Sequence, residues 1–232
     1  MLILVSGASR GIGFEMVKCF IKNPKNLVIA VSRNIDPLIR LMDQHNTHSL
    51  LPVKADITKP LHLKKIHQSV KSLNLSLDVL INNAGLIVNK PFEKIRNKEL
   101  NAVYATNVFA PFALTQMLFP LMNKTRKSHI VNISSMGGFQ GSAKFAGLSA
   151  YSSSKAALCA LSECLAEEFK TRNVAVNCLA IGAVQTEMLS KAFPDYKAPL
   201  KAHQMAEFIC SFALTGHQFF NGKIIPVSSS TP

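Results

Sequence analysis

Leu2-Ile3-Leu4-Val5-Ser6 runs straight into Gly7-Ala8-Ser9-Arg10-Gly11-Ile12-Gly13, and a helical apolar pattern starts at Ile12 without an intervening loop. A short run of large apolar residues with no polar alternation reads as a strand covered on both faces, as in a parallel sheet. The glycines then have separate physical tasks. Gly7 permits the tight turn, Gly11 lets backbone approach a pyrophosphate, and Gly13 lets the helix pack closely on the strand. The helix N-terminus turns its free N–H groups and the positive end of its dipole toward phosphate oxygens. Glycine-rich turns are common, so this one draws its weight from its place in the first strand-to-helix turn of an alternating chain.

Outward from this turn the alternation continues. Further strands are expected at Leu27 to Ser32, Leu50 to Ala55, Asp78 to Asn82, His129 to Ser134, Ala175 to Leu179 and Lys223 to Val227. Helices are expected at Ile12 to Ile21, Ile35 to Gln44, Leu61 to Ser72, Val103 to Met122, Ala150 to Lys170 and Ala202 to Leu214. No repeat, low-complexity tract or Pro/Gly/Ser-rich linker interrupts them. The fold class is therefore α/β: a single-domain Rossmann fold over residues 1–232, a doubly wound parallel sheet of about seven strands flanked by helices.

The composition agrees with one well-filled domain, since 232 residues at ~150 per domain give between one and two. Hydrophobic residues make up 48% and charged residues 17% of the chain, which excludes a disordered chain. Five cysteines, Cys19, Cys159, Cys164, Cys178 and Cys210, form no CxxC pair and leave one over, so reduced thiols are expected rather than a disulfide scaffold. Cys159 and Cys164 read as packing residues of the long helix. The histidines lack companions at metal-ligand spacing, and no metal site is expected. The apolar run Met1 to Val5 is too short for a signal segment, and no stretch reads as the ~20 apolar residues of a membrane span. A cytoplasmic protein without membrane or nucleic-acid partners is expected. The net charge of +13 suits an anionic partner without naming one.

The second strand ends Ser32-Arg33 where a fold selecting NAD would offer a carboxylate to the adenine ribose. Arg33, with Arg10 in the glycine turn, can grip a 2′-phosphate through charge-assisted hydrogen bonds. NADP(H) is therefore expected over NAD(H); Asp36, past the strand end, reads as an early helix residue. Farther on, Tyr151 and Lys155 stand four apart on one face of the long helix. A phenol with a reference pKa of ~10 is a poor acid or base at neutral pH, and a neighbouring ammonium brings it toward the working range.

Taken together, Ser6 to Gly13, Asn82-Asn83-Ala84-Gly85, Asn107, Ile133-Ser134-Ser135 and Tyr151-x-x-x-Lys155 follow the order and approximate spacing of the short-chain dehydrogenase/reductase family, which the chain resembles from residue 2 to about 227. The resemblance implies an NADP(H)-dependent oxidoreductase that moves a hydride between nicotinamide and a carbonyl or secondary alcohol. It makes Tyr151 the proton donor or acceptor, Lys155 the residue that holds the nicotinamide ribose and acidifies the tyrosine, Asn107 the support of a proton-relay water, and Ser135 the hydroxyl on the substrate oxygen. By the same resemblance Gly7, Ser9, Arg10, Gly11, Ile12, Gly13, Ser32 and Arg33 form the phosphate and ribose side of the cofactor site. Asp56 with Ile57 contacts the adenine edge, and Asn83, Ala84 and Gly85 lie beside the adenine ribose. Gly182, Val184 and Thr186 complete the nicotinamide end. Asn82 reads as architectural.

Three departures from the family pattern stand out. The separation of sixteen residues from Ser135 to Tyr151 is a few longer than usual, with Ser134 and Ser142 as alternatives for the serine role. Ile181-Gly182 replaces the familiar Pro-Gly. The stretch Glu187 to Lys201 is short, so an open or partner-completed pocket is expected. A specific alternative is a 3-oxoacyl-thioester reductase whose acidic acyl carrier is drawn to Arg126, Lys127 and Arg172; another is a non-catalytic NADP(H)-sensing protein. A homodimer or homotetramer built on the two long helices is implied by the resemblance.

Overall fold

Every residue of β1 (Leu2–Ser6) is buried, and its side chains alternate between two cores. Ile3 and Val5 enter one cluster, Leu2 and Leu4 the other, the period-two consequence of a pleated strand. The computed structural model describes residues 1–228, so the last four positions of the expected 1–232 domain lie outside the described residues. After the glycine turn, α1 (Gly11–Ile21) buries Gly13, Met16, Val17 and Phe20 at helical spacing. Full burial of a side chain such as Phe20 contributes about 2–3 kcal/mol.

The chain continues through β2 (Leu27–Ser32), α2 (Asp36–His45), β3 (Leu50–Lys54), α3 (Pro60–Lys71), β4 (Leu77–Asn82), α4 (Asn97–Tyr104), α5 (Ala110–Leu118), β5 (Ser128–Ser135), α6 (Ser149–Glu168), β6 (Val174–Ile181), β7 (Val184–Gln185), α7 (Glu187–Ala192), β8 (Leu200–Lys201), α8 (Ala202–Thr215) and β9 (Ile224–Val227). Seven strands form one parallel sheet in the order β3-β2-β1-β4-β5-β6-β9. On one face α1, α2 and α8 bury Met16, Leu38, Ile209 and their neighbours; on the other α3, α5 and α6 bury Ile66, Leu114 and Leu165. The expected doubly wound α/β fold is the fold observed.

Two expectations need correction. The helix read as Val103 to Met122 begins earlier, at Asn97, and a π-helical turn over Ala105–Phe109 divides α4 from α5. Such turns insert one residue and recur at functional sites; this one carries Asn107. The same stretch, Asn97–Leu121, is also long and apolar enough by composition to cross a membrane, contrary to the reading that nothing reaches that length. Its inner face, Val103, Ala110, Leu114 and Leu118, is buried against the sheet, the behaviour of a core helix. Phe109 and Phe112 remain exposed on the outer face.

Candidate active site

Going outward from β1, the chain passes to β2 on one side and β4 lies on the other. This is the point where strand order reverses, and a crevice opens there beyond the C-terminal ends of the strands. Its floor is the glycine turn. Gly7 and Gly11 both have positive φ, +68° and +54°, a region that costs any residue with a Cβ. A Cβ on Gly7 would lie 2.7 Å from Ala84 Cα, and one on Gly13 would lie 2.2 Å from Gly7 O. Those two glycines thus serve the packing of the turn on β4 and on itself. A Cβ on Gly11 would meet only the Thr186 side chain, at 3.4 Å, so Gly11 faces the crevice at the first turn of α1.

Asn83 locks the same region. Its side-chain amide donates to the carbonyls of Ser6 and Gly7, at 3.0 and 3.2 Å, while Ser6 Oγ accepts from the Asn83 and Ala84 backbone N–H groups. Asn82 is architectural as expected, donating to Asn132 and Thr115. At the end of β2, Ser32 Oγ donates to Ser9 Oγ at 2.7 Å. Arg33 is exposed beside Asp56. Burial pushes the Asp56 carboxyl up, but hydrogen bonds from the Thr58 N–H and hydroxyl, with the charges of Arg33 and Lys59, outweigh it and hold it below its ordinary value. Ile57 is buried in the second core. Arg10 extends across the crevice to Glu187, 3.1 Å away.

The nicotinamide end gathers the remaining candidates. Lys155, only 4% exposed, donates through Nζ to Ile133 O at 2.7 Å. Burial pushes its ammonium down to about 8, against the partly opposing influence of Cys178 and Cys159. Its nitrogen stands 5.9 Å from the Tyr151 ring centre. Burial raises the Tyr151 phenol, and its hydrogen bond with Ser135 offsets only part of that. At Tyr151 burial outweighs any acidification by the neighbouring lysine. Asn107 is fully buried; its Oδ1 accepts from Leu86 N–H, and its Nδ2 donates to Leu86 O and Ser154 Oγ. The amide is thus spent on joining the loop after β4 to α6. Asn107 Oδ1 and Lys155 Nζ would each lie 3.7 Å from a Cβ on Gly85, so these three converge.

The longer loop after β5 does not displace the serine. Ser135 sits at the end of β5 in contact with Tyr151. Ser134 is buried and donates to Lys155 O at 2.9 Å, and Ser142 bonds within its own loop to Met136 O and Phe139 O. Gly182 approaches Ser228 rather than open space: a Cβ there would lie 2.5 Å from Ser228 Oγ. Val184 is buried in β7, and Thr186 Oγ1 caps α7 by accepting from Leu189 N–H. The short stretch after it is organised, with β7 pairing β8 and Asn89 Nδ2 donating to Ala192 O. Beside the site a cavity of about 630 Å³ opens between Phe92, Phe145, Leu148 and the Ser152–Ala156 face of α6.

Residues 1–197 match the pattern of the short chain dehydrogenase family. The chain belongs to the short-chain dehydrogenase/reductase family. This oxidoreductase is 28% identical to the 3-oxoacyl-[acyl-carrier-protein] reductase FabG of Thermotoga maritima, over 97% of its own length and 94% of that protein's. Among solved structures it is similar to 4-hydroxyisoleucine dehydrogenase complexed with NADH, with TM-score 0.86, 26% identity and coverage of 99% and 97%. It is likewise similar to ElxO with NADP bound, with TM-score 0.85, 25% identity and coverage of 97% and 96%.

The crevice fits a dinucleotide on its own geometry. Gly11 leaves α1's first turn bare of side chain, and the crevice walls are the glycine turn, the ends of β1 and β4, and Thr186. Two features escaped the sequence reading. Glu187 reaches Arg10, which only the fold brings near. Cys159 faces Cys178, Sγ to Sγ 3.8 Å, and donates to Ser134 Oγ at 3.3 Å, placing a thiol pair under the lysine.

Proposed function

We propose that this short-chain dehydrogenase is an NADP(H)-dependent carbonyl reductase in which Tyr151, held protonated, gives its proton to the substrate oxygen. When bound in the crevice, the dinucleotide supplies the hydride. The observation that carries the reading is the hydrogen-bond contact of Tyr151 with Ser135 beside the buried Lys155, and a preference for NADP(H) suits reduction. Ser135 shares the oxygen with Tyr151 and stabilises negative charge as it develops there. Lys155, buried and anchored on Ile133 O, holds positive charge beside the ring, lowering the cost of losing the phenolic proton. Asn107 holds the loop and α6 in register and keeps Lys155 placed. Arg10 and Arg33 favour NADP(H) over NAD(H) by their reach to a 2′-phosphate.

Fluorescence titration with NADPH and NADH, followed by NADPH consumption across ketones, aldehydes and 3-oxoacyl thioesters, tests this reading. Tight NADPH binding with turnover supports it; absence of both overturns it. NADPH binding in which Tyr151→Phe changes nothing favours a sensing protein.

A second reading, 3-oxoacyl-thioester reduction, is supported by the names of the curated relatives. The basic residues first linked to an acyl carrier do not favour it. Arg126 and Lys127 precede β5 and Arg172 precedes β6, so all three lie at the N-terminal edge of the sheet, opposite the crevice, and Arg126 is bonded to Asp78 at 3.0 Å. For assembly, the exposed Phe109 and Phe112 beside α6 suit pairing of two copies through these helices. A cytoplasmic, reducing setting suits the five cysteines.

A further inference from the structure

An ion pair crosses the crevice. Arg10 is the residue before α1, and Glu187 is the first residue of α7, so the 3.1 Å contact between Arg10 Nη1 and Glu187 Oε2 joins two helix N-termini facing each other across the place where phosphates would lie. The gap is narrow there, as the 3.4 Å from a Gly11 Cβ to Thr186 shows. Lys191, one turn along α7, bonds the other oxygen of Glu187 at 2.6 Å and steadies the carboxylate. The Glu187 carboxyl lies below its ordinary value, first through that Lys191 hydrogen bond and then through the charge of Arg10. Both partners are about half exposed, 54% and 49%, so solvent and anions reach them.

Resting on the NADP(H) reading above, we propose that Glu187 competes with the cofactor's phosphates for Arg10, and so sets both cofactor affinity and the preference for NADP(H) over NAD(H). A bidentate grip on a phosphate uses two parallel N–H donors of the guanidinium, and the Glu187 contact occupies one nitrogen, Nη1. The resident carboxylate carries one charge, whereas a phosphate monoester carries about two near neutral pH and offers three acceptor oxygens, so a 2′-phosphate takes Arg10 from Glu187 where a ribose hydroxyl does not. An exposed pair of this kind is weak, which makes exchange easy and the expected effect several-fold rather than all-or-none. Glu187 touches no reacting atom; it is a positioning residue acting through Arg10.

The test is equilibrium titration of NADPH, NADH and 2′,5′-ADP into the wild type, Glu187→Gln, Arg10→Ala and the double variant, with circular dichroism to confirm the fold. Glu187→Gln is expected to tighten NADPH and 2′,5′-ADP about 3- to 10-fold and NADH less, and to have no effect once Arg10 is alanine. An equal gain in both backgrounds would show a general charge effect and overturn the competition, as would unchanged or weaker NADPH binding in Glu187→Gln. A wild type that binds neither NADPH nor 2′,5′-ADP overturns the NADP(H) reading itself, and this inference with it.

Discussion

Lys155 stands with its ammonium 5.9 Å from the centre of the Tyr151 ring, two members of one helix face turned into a site built by β4, β5 and α6. The lysine is pinned by its bond to Ile133 O, and the tyrosine oxygen meets Ser135. Burial holds the phenol above its ordinary value.

Tyr151→Phe should therefore remove the proton donor without disturbing the crevice. The expected loss in kcat is about 10²- to 10⁴-fold, with NADPH affinity unchanged within about twofold, read by single-turnover kinetics beside fluorescence titration.

The two adjacent serines should separate chemistry from stability. Ser135→Ala is expected to lower kcat about 10²-fold or more, with a structural cost confined to the bond its Oγ accepts from Gly137 N–H. Ser134→Ala leaves the Lys155 carbonyl and the Cys159 thiol without their buried partner, at a cost of about 1–2 kcal/mol and several degrees in Tm. The pair of measurements is kcat against calorimetric Tm.

Lys155→Met should stabilise the protein while abolishing turnover. Burial lowers Lys155 from its ordinary 10.5 to about 8, so the unfolded chain binds that proton more tightly than the folded one. Wild-type stability is accordingly diminished below about pH 8 and rises between about pH 8 and 10.5. Urea midpoints from pH 7 to 10 should show this rise in the wild type and its absence in Lys155→Met, with the variant the more stable at pH 7.

Acid should weaken the fold through His129. It is buried in β5, with Nδ1 on Ala213 O and Nε2 on Asn177, and burial pushes it down to about 3. The unfolded chain takes up a proton as pH falls below about 6.5, while the folded chain does not, so stability is lost between about pH 6.5 and 3 at up to ~1.4 kcal/mol per pH unit. His217, also lowered by burial, adds in the same direction. His129→Gln should flatten this limb in denaturant midpoints measured from pH 7 to 4.

Local patterns revealed much of this. Leu2 to Ser6 and the glycine turn are legible because strand burial and positive φ leave direct marks on residue type, and Tyr151 and Lys155 share a face by helical arithmetic alone. The π turn at Asn107 was not legible: one inserted residue hardly disturbs an apolar period, and the partners Asn107 meets there, Leu86 and Ser154, lie on other elements. Nor could spacing decide among Ser134, Ser135 and Ser142. Pleat direction decides, sending Ser134 back onto Lys155 and Ser135 toward Tyr151.

The sequence by itself determined the alternating α/β plan with its parallel sheet and the glycine turn, since these follow from short-range periodicity and turn chemistry, while the resemblance to the family singled out the Tyr–Lys pair. Tertiary structure alone decided the contacts between residues far apart in the chain. It raised Tyr151 and lowered Lys155 by burying them, set Cys159 against Cys178, put Arg126 and Arg172 at the edge away from the site, and brought Glu187 to Arg10. Burial and long-range charge depend on what surrounds a group in space, and a linear pattern carries no record of that.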